Sequence, residues 1–205
     1  IWPYPAQVIF CNGEIRGLSD LKGKKVRTGN RTLAEFVEAL GGTGVTLSFS
    51  EVVPALQNKV VDCAITGSLS GNAARWYEVA THIYALPVGW SQVMHAVNLK
   101  TWDKLNPKVR DFLKAEIAKL EDDIWKAADA ETQDGFDCNV GKASCKSGTK
   151  AKMTMVPVND ADRALLKKVL NETVVPKWAA RCSGDCVPAW NASVGKILGI
   201  TAKAK

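Results

Sequence analysis

The chain is 205 residues long, 46% hydrophobic and 23% charged, with a formal net charge of +6. This is an ordinary globular composition, sufficient for one good core or two small ones. It holds no run near the roughly 18 apolar residues a membrane span needs, and Ile1 opens directly on WPYPAQVIF with no basic region before an apolar one.

The positive balance raises nucleic acid or an anionic membrane as partners. The lysines argue otherwise. Lys104, Lys108, Lys114 and Lys119 are interleaved with Asp111, Glu116, Glu121 and Asp122, the pattern of a solvated mixed face and not of a phosphate track. No nucleic-acid partner is expected. A modest positive field suits attraction of anionic solutes.

In chain order, residues 8–11 read as a short strand, and Asn12-Gly13 as a turn. Ser19 or Asp20 can cap a short turn before LKGKK, and Val26 lies in the next strand. Thr28-Gly29-Asn30 turns the chain into a helix over 32–40, with Leu33, Phe36, Val37 and Leu40 on one face and Gly41-Gly42 as its stop. A strand over 45–49 follows. Ser50 reads as the N-cap of EVVPALQN, because a serine oxygen satisfies a free helical N–H. Residues 60–65 form a third strand, and a helix occupies 70–79. Apolar runs at 83–88 and 93–97, around Gly89-Trp90-Ser91-Gln92, read as strands.

Asn106 and Pro107 open a long helix, since proline suits the first helical position. Val109, Leu113, Ile117, Leu120, Ile124 and Ala128 recur at spacings of three and four and give one apolar stripe. The helix should run about 28 residues, on the order of 40 Å at the standard rise. Beyond it come a strand within 152–158, a helix from Asn159 or Asp160 toward Trp178, and a last helix over 187–198. TAKAK at the end reads as a loose tail.

Six cysteines are present. Cys138 and Cys145 flank NVGKAS, and Cys182 and Cys186 flank SGD, so each pair can close a tight loop in an oxidising compartment. A zinc site is the competing reading, but no CxxC or histidine accompanies these spacings. Cys11 and Cys63 fall in strands and read as buried small apolar residues; a third disulfide between them has no support in the sequence.

An enzyme needs a nucleophile with its base, or a carboxylate pair. His82 and His95 stand in no HExxH or GxSxG pattern, and the Gly41–Gly44 cluster lacks the GK[ST] of a phosphate loop. Catalysis lacks support. Arg27 is better material: it sits at a strand end, where α/β sheets bind small ligands, and its fork matches a carboxylate.

Three blocks agree with one family. GLSDLKGKKVRT, SFSEVVPALQNKVVD and NLKTWDKLNPKVRDFL resemble, in order and spacing, the periplasmic solute-binding proteins of TRAP transporters, of the dicarboxylate-binding DctP type. The resemblance implies an α/β fold: one lobe of a two-lobed periplasmic-binding-protein fold, with a mixed sheet flanked by helices and a long interlobe helix. Residues 1–100 would be the ligand-binding lobe, and 101–205 the spanning helix and a C-terminal helical segment. The chain starts near the family's lobe crossover, so the expectation is a C-terminal portion without the N-terminal lobe.

The resemblance also assigns roles. Arg27 would make a two-pronged salt bridge to a substrate carboxylate. Phe49 would pack on the ligand's carbon skeleton, or be a plain core aromatic. Trp90 would wall the ligand. Apart from the resemblance, the place of Asn30 just after the strand would let it donate to a ligand oxygen, or serve only its turn, and Gln92 is a weaker candidate of the same kind. One departure stands out. The family commonly follows its third strand with Asp-Gly-Gln-Glu-Asn-Pro, whereas this chain reads Asp62-Cys63-Ala64-Ile65-Thr66-Gly67-Ser68, with Thr66 where the ligand-touching Asn would be. The implied function is capture of an organic acid anion in the periplasm and its delivery to TRAP permease subunits. No cofactor or metal is called for. The alternatives are a ligand-sensing or protein-interaction module on the same fold, and a cysteine hydrolase with Cys63 as nucleophile.

Overall fold

The computed structural model describes residues 1–203. The tail expectation falls partly on residues 204 and 205, outside the described residues.

The first half alternates strands and helices. It comprises β1 (Trp2–Pro3), β2 (Gln7–Cys11), β3 (Lys25–Thr28), α1 (Arg31–Ala39), β4 (Thr43–Thr46), α2 (Val52–Gln57), β5 (Cys63–Gly67), α3 (Ser68–Ala73), β6 (His82–Gly89) and β7 (Gln92–Val93). The second half comprises α4 (Leu99–Asp103), α5 (Pro107–Asn139), β8 (Thr154–Val156), α6 (Asp160–Val169), α7 (Val175–Ala179), α8 (Cys186–Ala192) and α9 (Val194–Leu198).

One mixed sheet, in the order β4-β3-β5-β2-β6-β8, organises the molecule. β3 runs parallel to β4 and β5, and β2 runs antiparallel to β5 and β6. β2 and β5 are buried along their whole lengths, as expected of strands covered on both faces. One face packs Ile9, Leu18, Leu21, Phe36 and Tyr84; the other packs Val8, Phe10, Leu56, Trp76 and Phe136. The second half contributes a strand as well as helices: β8 extends the sheet beside β6, with Thr154 opposite His82.

Several local expectations shift. The strand expected over 45–49 ends at Thr46, so Phe49 begins a single 3-10 turn, Phe49–Glu51. Ser48, not Ser50, caps that turn: its backbone N–H donates to the Glu51 carboxylate at 3.0 Å, and its hydroxyl donates to the same oxygen. The helix expected over 187–198 breaks at Ser193 into α8 and α9. Asn106 and Asn159 cap α5 and α6 as expected, accepting from Lys108 and Asp162 N–H groups.

α5 is 33 residues long and is buried toward its C-terminal end; further back, Glu121 accepts from the Ile1 amino group at 3.0 Å and Trp125 donates to the Ile1 carbonyl at 2.9 Å. Burial begins at Ala128 and takes in Gly135, Phe136, Asp137, Cys138 and Asn139. Asn139 donates from its amide to the Ser68 carbonyl at 2.9 Å, and Ser68 donates its hydroxyl to the Thr132 carbonyl at 2.8 Å, so α3 is locked to α5. Before Ala128 the expected stripe is mostly uncovered: Val109, Ile117 and Leu120 are exposed and Leu113 and Ile124 half-buried, with Phe112 and Trp125 exposed beside them.

All six cysteines are paired. Cys138–Cys145 and Cys182–Cys186 form as expected. Cys11–Cys63 also forms, which corrects the reading of both as unpaired apolar residues. The register explains it: Cys11 and Cys63 are direct partners across β2 and β5, a proximity that only the fold creates. With the Cys63 thiol consumed, the cysteine-hydrolase reading loses its nucleophile.

Candidate functional site

The C-terminal ends of the parallel strands β3 and β5 meet the start of antiparallel β2 at one sheet edge, where Gln7 is the register partner of Gly67. An open cleft of about 630 Å³ lies there. Its walls carry Arg27, Phe49, Thr66 and Ser70, together with Tyr4, Gln7 and Ser91.

Arg27 is 6% exposed. Its Nε and Nη2 donate to the Leu47 carbonyl at 3.1 and 3.0 Å, and Nη1 donates to the Ile65 carbonyl at 3.2 Å. Guanidinium has five N–H groups. Three are therefore committed, and one remains on each terminal nitrogen. Among the described residues no carboxylate pairs with this cation. Burial lowers its pKa from the ordinary value, but an arginine stays charged. The result is a rigid, desolvated, uncompensated positive charge at the floor of a cleft.

Phe49 is 43% exposed and its ring centroid lies 5.9 Å from the Arg27 guanidinium carbon. Behind it stands Trp76, buried, at 5.4 Å between ring centroids. Phe49 is thus neither a plain core aromatic nor a loose surface ring. It is a wall backed by the core.

Thr66, at the end of β5, also lines the cleft. Asn30 does not. Its side-chain oxygen accepts the Leu33 N–H at 2.9 Å, so it serves as the N-cap of α1. Trp90 and Gln92 lie in a neighbouring groove of about 340 Å³ with Trp125, Asp129 and Thr132; Tyr4 borders both spaces. Trp90 is 62% exposed and does not line the Arg27 cleft.

Sequence reasoning missed Tyr4, Gln7, Ser70 and Ser91. Gln7 carried a signal: it is a polar residue at the head of the buried run QVIFC. Tyr4 and Ser91 carried none, because a backbone bond from Tyr4 N–H to the Ser91 carbonyl brings distant segments together.

An α/β sheet with an unpaired buried arginine in a cleft at its strand ends is an arrangement suited to holding a small anionic solute. The sequence pattern of bacterial extracellular solute-binding protein family 7, DctP, matches residues 6–178, and the chain belongs to that family. A curated relative, a solute-binding protein of Albidiferax ferrireducens, is 27% identical over 168 residues, covering 80% of this chain and 47% of the relative. Among solved structures, a TRAP periplasmic solute binding protein from Desulfovibrio salexigens with bound orotic acid superposes with a TM-score of 0.79 at 21% identity, covering 97% of this chain and 60% of that one. Its counterpart from Rhodoferax ferrireducens with bound malonate gives 0.73 at 22% identity, covering 97% and 58%. The likeness to these two structures is one of fold. The chain spans about half the length of the curated relative and about three fifths of the solved ones.

Proposed function

We propose that this chain forms a ligand-binding lobe of a TRAP-type receptor for an organic acid anion. The carrying observation is Arg27: a buried cation whose protein partners are all carbonyls, with one free N–H on each terminal nitrogen. A carboxylate supplies both the missing charge and two acceptors. A neutral solute would leave the cation buried and unpaired, which costs several kcal/mol, so acids are selected. Phe49 packs on the carbon skeleton, and Thr66 takes the place of the family's asparagine. Trp90 would reach a ligand only as an outer wall, through Tyr4. The matched relatives make periplasmic capture and delivery to TRAP permease subunits the corresponding physiological role.

The uncovered row of α5 supports a second part of the reading. In the longer relatives there is chain enough for a further lobe. We place such a lobe over Val109, Phe112, Ile117 and Leu120, with α5 spanning both bodies and closure occurring by hinge motion. Residues 1–100 would then be the ligand lobe and 101–205 the spanning and C-terminal part.

The test is calorimetric titration with organic acids of the chain and of Arg27→Gln. Binding should fall at least about 100-fold in the variant, as expected when one charge of a buried pair is removed. Equal binding by both proteins would sink the proposal.

A further inference from the structure

We infer that the cleft selects a monocarboxylate whose second polar group is an uncharged hydrogen-bond donor, an amide or hydroxyl, and that it rejects acids bearing a second carboxylate or an ammonium. This rests on the receptor reading above.

The charge inventory of the wall comes first. Among the described residues lining the cleft, Arg27 is the single cation and there is no acid. One carboxylate therefore neutralises the wall. A second would be desolvated against hydroxyls and an amide, and an ammonium would find no anion.

The unused polar atoms come second. Gln7 and Thr66 are each 7% exposed. The Gln7 amide nitrogen donates to the Pro5 carbonyl at 3.5 Å, and the amide oxygen has no protein partner among the described residues. The Thr66 hydroxyl likewise has none among the described residues, and Thr66 lines the cleft. Both atoms face the cleft and not the closed core, so a ligand that fills the space displaces their water and has to supply partners in its place. The Gln7 oxygen can only accept. It calls for a donor, while the amide nitrogen keeps one N–H beyond its Pro5 bond; the charge inventory, not Gln7, is what disfavours a second carboxylate. The Thr66 hydroxyl donates or accepts and serves the carbonyl beside that donor.

Position comes third. Thr66 lies two residues past Ala64, the register partner of Arg27, and Gln7 lies across from Gly67. The charged end and the uncharged end of the ligand therefore bind neighbouring strands of the same sheet edge. Phe49, Ala73 and Ala74 supply apolar wall around them.

The test uses three four-carbon acids that differ at one end: succinamate, succinate and 4-aminobutanoate. Titration calorimetry on the chain should show succinamate binding at least about tenfold tighter than the other two, in line with sites built to hydrogen-bond a particular group. Gln7→Glu, an isosteric change, should move the preference to 4-aminobutanoate, and Thr66→Lys should move it to succinate. Succinate preferred by the unaltered chain, and lost with Arg27→Gln, would overturn the charge selection and leave the receptor reading standing. Failure of all three acids to bind, with Arg27→Gln indistinguishable, would overturn both.

Discussion

Cys11 and Cys63 stand directly opposite each other on β2 and β5 and are joined by a disulfide that spans 52 positions. Both are almost wholly buried. For a loop of this length the chain-entropy estimate is about 4 kcal/mol. The Cys11→Ala/Cys63→Ala double variant should lose stability of that order, read as a lower midpoint in denaturant. Thiol reagents at neutral pH should leave the native chain unlabelled at Cys63. An unchanged midpoint would show that β2 and β5 do not need the bond.

Two carboxylates hold the Cys138–Cys145 loop and make it sensitive to acid. Asp134 accepts N–H groups from Lys146 at 2.7 Å and Ser147 at 2.9 Å, and the Lys146 bond leads in holding its pKa below the ordinary value. Asp137 accepts the Ser144 hydroxyl at 2.7 Å, the largest cause of its own lowered pKa, with Lys142 and Gln133 adding to it. Groups depressed in the folded state add stability above their unfolded pKa, about 4, and lose it as pH falls through the folded value. Stability should therefore decline from about pH 4 downward. Asp137→Asn should flatten that decline in melts taken across acid pH, and an identical acid limb would refute the assignment.

Gly135 is where α5 meets α3 at backbone distance. A Cβ there would overlap the Leu69 amide nitrogen and stand 2.5 Å from the Ser68 carbonyl carbon. Gly135→Ala should cost about 1–3 kcal/mol as an overpacked contact. It should also weaken ligand binding, because α3 carries Ser70 into the cleft. Thermal melts with and without ligand separate the two effects; a variant as stable as the parent would show that α3 yields freely.

The two ends of α5 should differ in hydrogen exchange. Residues 107–127 are mostly exposed, whereas those from Ala128 onward are packed on α3. In the chain alone, amides of the first segment should exchange far faster than those of the second. Uniform protection along the helix would mean that something covers the exposed row.

Most strands and helices of the first half were legible because periodicity and glycine stops mark them locally, but the strand expected over 93–97 is only Gln92–Val93 and the helix expected over 70–79 is Ser68–Ala73. Arg27 was legible for the same reason, as it sits on a recognisable strand end. The Cys11–Cys63 bond was not, since it depends on the register of two strands far apart in the chain. Phe49 shifted from strand to turn because Ser48 and Glu51 close a capping box two residues earlier than Ser50 would. Asn30 looked like a ligand donor but is occupied by α1, a competition that sequence alone does not rank. Gln7 was passed over because a polar residue opening a buried strand can also be a simple edge residue.

The attachment of α5 has a mechanical side. The rod is about 50 Å long, and about 30 Å of it lies before Ala128, where burial begins, touched by Ile1 at Glu121 and Trp125. A tilt of about 5° at the anchor carries the far tip through ~3 Å at that length. The anchor is the contact with α3, whose Ser70 lines the cleft. A shift too small to register in the cleft is thus magnified at the far tip, and a push on that tip is geared down into a fine adjustment of the cleft wall.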